Sequence, residues 1–357
     1  SLLNASGLEI VPHFGGGSVY VRRGSTWYSG SSLWNLKPDV SLERVRQIHF
    51  GAELCAWTAE DEVRCAESKL DLFKPERSRN LGRVPSNTKK FHGYCLETTD
   101  GEIFCLQSFI DGNDLRYHYA RVDTEALGPL QTISASATHV CVQTLWGKIF
   151  CWGENYGGKL GRGGFPFFQR PEEGGDWSVT YATAGIPFPT KAVGNGETNF
   201  TSLSVYANTS CALSDGPRDN LYCWGRLLDT SNLYMDFSLF SQTTSSQPRR
   251  LDLSVVPSGR LVGLVTGPLV GFGHDELGRI YFWGEYAEPL PTAQRLELRA
   301  RILADPPPNF SISHLVPVQG EICAVGTLEA GGEALYCSRR PWDRPSARPE
   351  LVPVDLP

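Results

Sequence analysis

The ten cysteines carry the clearest chemistry in this chain. They fall in sequence order into five couples: Cys55 with Cys65, Cys95 with Cys105, Cys141 with Cys151, Cys211 with Cys223, and Cys323 with Cys337. No Cys-x-x-Cys occurs, so the short chelate spacing of structural zinc sites is missing and the sulfurs are not read as metal ligands. The seven histidines, His13, His49, His92, His118, His139, His274 and His314, stand singly. Of these, His139 lies two residues before Cys141 and could share a strand face with its sulfur, but a disulfide partner for Cys141 makes a structural role the expectation. No Ser, His and Asp order is accompanied by a nucleophile elbow. Gly157-Gly158-Lys159-Leu160-Gly161 lacks the full phosphate-loop pattern, and acidic residues are too plentiful to pick out a glycosidase-type pair. The chain is expected to be no enzyme, with no catalytic residue, no cofactor and no metal.

Asparagines offer a different chemistry. Asn-x-Ser/Thr sequons occur at Asn4, Asn199, Asn208 and Asn309, where chance pairing would give roughly one or two. Together with the paired cysteines, they place the expected location outside the cytosol, where disulfides persist. The expected state is a secreted or extracellular protein, or the ectodomain of a larger membrane-anchored one.

The segments between the cysteines say which elements hold them. Cys141-Val-Gln-Thr-Leu-Trp-Gly-Lys-Ile-Phe-Cys151 reads as two short strands around a turn, with Gly147 six places after the first Cys. Gly101 and Asp61 stand at that offset from Cys95 and Cys55, and both residue types tolerate the left-handed backbone of a tight hairpin. β-formers precede the second Cys: Ile103-Phe104, Ile149-Phe150, Leu221-Tyr222 and Leu335-Tyr336. Each couple therefore brackets a hairpin, with its two cysteines side by side on adjacent antiparallel strands and joined as a disulfide.

One stretch keeps the spacing and loses both sulfurs. Phe272 to Gly284 repeats the ten-residue step, with Gly278 at offset six and Trp283-Gly284 at the end, and has Phe at both cysteine positions. Paired loss is what a cross-strand bridge implies. A degenerate copy is read near the start, where Gly17 to Tyr20 and Thr26 to Gly30 flank the short turn Arg22 to Ser25. The second-strand anchors are then Tyr28, Cys65, Cys105, Cys151, Cys223, Phe282 and Cys337, at intervals of 37, 40, 46, 72, 59 and 55 residues.

Composition agrees with this pattern. Of 357 residues, 37 are Gly and 24 are Pro, too many turn-formers for a helical protein, while 11% aromatic residues suffice for a core. A net charge of −6 gives no general attraction to nucleic acid. The most apolar run, Leu261 to Gly273, is interrupted by Gly263, Gly267 and Pro268 and is shorter than the roughly 20 residues a spanning helix needs. No membrane insertion is expected within this segment. Seven blade-sized repeats make the expected fold all-β: a single seven-bladed β-propeller over 1–357, with an intra-blade disulfide in most blades and the N- and C-terminal segments closing the ring.

At Phe150-Cys-Trp-Gly-Glu-Asn-Tyr-Gly-Gly-Lys-Leu-Gly-Arg-Gly163, preceded by Ile133-Ser-Ala-Ser-Ala-Thr-His-Val-Cys141, the chain resembles a repeat of the regulator of chromosome condensation superfamily, which includes beta-lactamase inhibitor protein II. Cys223-Trp-Gly and Phe282-Trp-Gly are partial copies. The resemblance implies a seven-bladed propeller. The form with a Cys on each hairpin strand is similar to repeats of secreted bacterial relatives and of crinkly-type plant receptor ectodomains. No residue of the nuclear exchange factor's activity maps onto this acidic chain, and no inhibitor residue carries across.

Two insertions interrupt the repeats. The first, roughly Gly163 to Thr198, carries Phe165, Phe167, Phe168, Trp177, Tyr181 and Phe188. The second, Leu227 to Ser246, carries Tyr234, Met235, Phe237 and Phe240. Aromatic residues on loops of a rigid scaffold are the usual material of recognition. The expectation is a non-catalytic extracellular module that binds or assembles with a protein partner through Phe165, Phe167, Phe168, Trp177, Tyr181, Tyr234 and Phe237. The alternatives are a receptor ectodomain sensing a peptide or glycan, and a structural subunit of an extracellular filament or coat.

Overall fold

Strand-forming runs this short, broken every few residues by Gly, Asp or Pro, leave two apolar faces on each small sheet, and each face needs a neighbouring sheet to cover it. The computed structural model meets that need with seven antiparallel sheets in a β-propeller. It describes residues 8–12, 18–50, 53–111, 114–136, 139–153, 158–161, 192–226, 244–267, 270–284, 300–318, 321–338 and 350–355.

Blade one holds β1 (Leu8–Ile10), β2 (Val19–Arg23), β3 (Thr26–Gly30) and β4 (Lys37–Pro38). Blade two holds β5 (Val45–Phe50), β6 (Leu54–Thr58), β7 (Glu62–Ala66) and β8 (Arg79–Arg83). Blade three holds β9 (Thr88–Phe91), β10 (Cys95–Thr98), β11 (Ile103–Asp111) and β12 (Asp114–Val122). Among the described residues blade four has three strands, β13 (Leu130–Ala135), β14 (His139–Thr144) and β15 (Ile149–Gly153). Blade five comprises β16 (Phe200–Tyr206), β17 (Thr209–Ser214), β18 (Leu221–Arg226) and β19 (Thr244–Arg250). In blade six are β20 (Gly263–Thr266), β21 (Val270–His274), β22 (Ile280–Gly284) and β23 (Arg301–Ala304), and in blade seven β24 (Phe310–Val318), β25 (Glu321–Leu328), β26 (Glu333–Ser338) and β27 (Leu351–Pro353). First strands of successive blades lie beside one another, as β13 beside β16, β16 beside β20 and β20 beside β24, so they form the centre of the ring.

The five bridges form as the spacing implies. Cys55–Cys65, Cys95–Cys105, Cys141–Cys151, Cys211–Cys223 and Cys323–Cys337 each join residues directly opposite in the register of a second and third strand. Phe272 stands opposite Phe282 at the corresponding place in blade six. At the turns, Gly101, Gly147 and Gly278 have φ of 83°, 75° and 76°, and Asp61 has 58°, so the offset-six residue does take the left-handed conformation.

Side-chain alternation explains how the blades stack. Cys141 and Cys151 face blade five and pack with Trp224, while Trp152, one residue along, faces back onto Cys95 and Cys105 of blade three. Cys211 and Cys223 likewise meet Trp283, and Cys55 and Cys65 meet Leu106. Each of these four sulfur pairs is thus covered by the side chain that follows the second anchor of the next blade. Blade seven turns Val316, Val318, Cys323 and Cys337 onto Ile10, Val19 and Val21 of blade one, with Val354 in the same cluster. The strand Leu351–Pro353 pairs within blade seven and Leu8–Ile10 within blade one, so the seam is made by packing and not by a shared sheet.

Two local features depart from the sequence reading. In blade one the face toward the next blade is carried by Tyr20 and Trp27, so Tyr28 is one residue out of phase as an anchor. Its partner Val21 faces blade seven. Register also slips at the innermost strand of blades two, three, four, five and seven, leaving Arg46, Lys89, Gln131, Thr201 and Ser313 as bulged, exposed residues.

Replacing Cys141 and Cys151 together with Ala should lower the unfolding free energy by about 2–4 kcal/mol. Urea denaturation against the unaltered protein measures this, and equal midpoints would refute a stabilising bridge in blade four.

Candidate interaction surfaces

Because strands alternate in direction, the turns between second and third strands lie on one side of the ring and the connections between third and fourth strands on the other. The first side is compact. Its turns join the second and third strands, and Leu145 and Trp146 of blade four and Leu277 of blade six project from them, with 60%, 63% and 63% of their surface exposed. Trp146 and Leu277 each immediately precede the turn glycine, Gly147 or Gly278. The Trp146 indole lies across Gly128, where an added Cβ would come within 2.3 Å of the ring. Alignment of the hairpins by their glycines would have shown these tip positions, occupied by Glu60 and Asp100 in blades two and three.

Beside Trp146 a groove of about 470 Å³ runs between blades three and four, lined in part by Glu97, Asp100, Glu102 and Glu125. These carboxylates are engaged within the protein. Arg121 bridges Glu102 (2.7 Å) and Glu125 (3.2 Å), Lys89 meets Glu97 (3.1 Å), and Asn87 donates to Asp100 (2.7 Å).

The other side is where the chain leaves β15 and β18, the third strands of neighbouring blades. Phe165, Phe167, Phe168, Trp177, Tyr181, Tyr234 and Phe237 all lie outside the described residues, as does Asn4. What the structure does describe there is the short stretch Gly158 to Gly161. Lys159 is wholly buried, its Nζ donating to Asn208 Oδ1 at 2.9 Å, and its carbonyl accepts from Trp224 Nε1 at 3.0 Å. Leu160 is buried in the cluster between blades four and five. A lysine committed in this way cannot reach a phosphate, so the glycines here serve packing.

The remaining sequons differ in setting. Asn199 and Asn309 are exposed on the compact side. Lys148 Nζ donates to Asn199 Oδ1 at 2.7 Å. Asn208 is half-buried against Lys159, and Ser210, the hydroxyl of its sequon, is fully buried.

No protein-family model matches the chain, and no curated protein matches it by sequence. Solved structures do. The chain is similar in fold to Prp20p of Saccharomyces cerevisiae. The two share 12% identity over 90% of this chain and 80% of that one, with a TM-score of 0.51, a likeness of fold alone. Human WBSCR16 aligns over 98% of this chain and 82% of its own length at 14% identity and TM-score 0.47. The ectodomain of the Arabidopsis thaliana receptor kinase ACR4 aligns over 91% and 96% at 12% identity and TM-score 0.37.

Three buried histidines are displaced from ordinary titration. His139 is completely buried, with Nδ1 3.0 Å from Ser136 Oγ and Nε2 2.7 Å from Ser210 Oγ, so both ring nitrogens already have hydroxyl partners. Cys141 is in its disulfide, which leaves no metal pair. The group Glu53, Cys55 and Cys65 is likewise no thiolate site, since its sulfurs are bonded to each other and Glu53 holds Arg79 at 2.6 Å. His49 packs on Gly93, where a Cβ would fall 2.4 Å from the ring, and edge-on to Phe91. Burial pushes His49 down to about 3, His92 down to about 4, and His139 well below the ordinary 6.5. Among the described residues no helix is long and apolar enough to cross a membrane.

These rings stay neutral in the fold and take up protons once the chain unfolds, so below pH 6.5 the unfolded chain binds more protons. Stability is therefore full above pH 6.5 and falls as pH drops toward the folded values. For His92 the expected loss between pH 8 and pH 5 is about 2 kcal/mol, and His139 adds a loss of the same sign. Urea midpoints at pH 8, 6.5 and 5 test this, and a flat profile would overturn the neutral-ring assignment.

Proposed function

We propose that the chain is a non-catalytic extracellular module that binds or assembles with a protein partner through the long connections carried by blades four and five. The observation that supports this reading is the placement of β15 and β18. They are third strands of neighbouring blades, packed together through Cys141, Cys151 and Trp224, and each is followed by an aromatic-rich segment launched from the same side of the ring. A rigid ring from whose neighbouring strands such segments start is suited to recognition by loops. The work describing Prp20p, similar in fold, concerns its binding to Gsp1p and histones, which makes protein binding a natural use of this architecture. An oxidising compartment is favoured by five bridges that employ all ten cysteines.

The binding test is a peptide-display selection on the immobilised protein, followed by counter-screening on a variant with residues 165–188 replaced by a short Gly-Ser linker. Selected binders should be lost on the variant. Binders retained undiminished on it would place recognition elsewhere.

Location is tested by sequon occupancy after secretion from eukaryotic cells, read by glycopeptide mass spectrometry. Glycan is expected at Asn199 and Asn309 and not at Asn208. An unmodified protein, or occupancy at Asn208 in the folded material, contradicts the assignment.

A further inference from the structure

The outer strands of blades two and three enclose a groove of about 610 Å³ whose wall is unusually rich in arginine for a chain of net charge −6. β12 passes so close over β8 that a Cβ on Gly82 would lie 3.0 Å from the Tyr117 carbonyl oxygen, and with φ at 99° the position favours glycine. Arg79 and Arg83 from β8 and Arg116 from β12 line the groove with Tyr117. Glu62 is the sole carboxylate among the described lining residues, and it is already held by Arg64 at 3.0 Å and Asn80 Nδ2 at 3.3 Å. Arg79 is oriented by Glu53 at 2.6 Å and stacks on the Tyr117 ring with its guanidinium carbon 5.8 Å from the centroid. Arg83 and Arg116 are exposed.

We propose that this groove docks an acidic segment of a peptide chain. Guanidinium groups match carboxylates through paired hydrogen bonds, a match the exposed Arg83 side chain offers beside Arg79, whose own guanidinium is held by Glu53 and the Tyr117 hydroxyl. A sugar ring would want an open aromatic platform, and the face of Tyr117 is already covered by Arg79. A densely sulfated chain would have to run past Glu62 with only three cations to balance it. A short row of Asp or Glu side chains fits both the charge and the size of the groove. This surface lies on blades two and three, apart from the connections of blades four and five, so it stands or falls independently of the reading above.

The test is fluorescence anisotropy with a dye-labelled Asp/Glu-rich peptide, its Asn/Gln analogue, and a heparin-derived hexasaccharide, each titrated at low and at physiological ionic strength. Arg83→Glu removes an exposed guanidinium without touching the core. Arg250→Glu makes the same charge change at Tyr222 in blade five, where a guanidinium also stacks on a tyrosine. The acidic peptide should bind the unaltered protein and lose about tenfold or more in affinity with Arg83→Glu, with a much smaller loss for Arg250→Glu. Near-ultraviolet circular dichroism confirms that both variants keep their fold. The proposal is overturned by absence of acidic-peptide binding at low salt, by equal binding of the neutral analogue, by equal losses in the two variants, or by binding of the hexasaccharide alone.

Discussion

The ring depends on one repeated contact: a sulfur pair, or its aromatic replacement, pressed against apolar side chains of the next blade. A sheet of three or four short strands has too little area to be stable alone, and its two faces are distinguished only by the alternation of side chains. In blades three, four and five, cysteine on one face and Leu106, Trp152 or Trp224 on the next residue give one surface of each kind. Seven apolar clusters then occupy the seven junctions between blades, from Tyr20, Trp27 and Leu42 at the first to Val316, Cys337 and Ile10 at the last. In blade six Phe272 and Phe282 fill the place of the bridge and meet Leu315, Ile322 and Ala324 of blade seven. Filling that space is therefore separable from covalent linkage.

The same contact divides the molecule into a constrained side and a permissive one. A bridge between second and third strands fixes the length of the hairpin it closes, with separations of 10, 10, 10, 12 and 14 residues. Nothing comparable ties the third strand to the fourth, and loop closure costs rise only slowly with length. Insertions accumulate where they strain least, after β15 and β18. The compact side varies instead by substitution at its tips, from Glu60 and Asp100 to Trp146 and Leu277. One scaffold thereby carries two surfaces of different character.

Much of this was legible in the sequence because the signals were periodic and redundant. Spacing, turn glycines and the paired loss at Phe272 and Phe282 all point to the same hairpin, and Asp61 could be read as a left-handed turn residue from its offset alone. Blade one was harder. Tyr20, Trp27 and Tyr28 place aromatics on both faces of the hairpin, so period-two alternation does not choose a phase, and only the packing of Val21 on blade seven does. The bulges at Arg46, Lys89, Gln131, Thr201 and Ser313 leave no compositional trace, since polar residues at strand ends are ordinary. Lys159 shows the opposite failure: charge and a glycine-rich setting suggest exposure, while Asn208 and the space beneath Trp224 draw it inside. The arginine groove needed β8 and β12 side by side, strands that lie more than thirty residues apart in the chain.

Closure of the ring rests on different physics from the rest. Where propeller strands are exchanged between termini, hydrogen bonds tie the two ends of the chain; here β1 and β27 pair only within their own blades. The junction between blades seven and one is held by Ile10, Val19, Val21, Val316, Val325 and Val354, together with the Cys323–Cys337 bridge that stiffens one wall. At the junction that follows, Glu9 is buried against Arg22 at 2.8 Å, and Arg22 also donates to the Arg46 carbonyl of blade two while stacking on Trp27. A buried ion pair adds direction more than net stability. Blade one thus meets blade seven through interchangeable aliphatic contacts and blade two through directional polar ones. If the ring opens locally, the aliphatic seam is where separation leaves no buried charge without its partner.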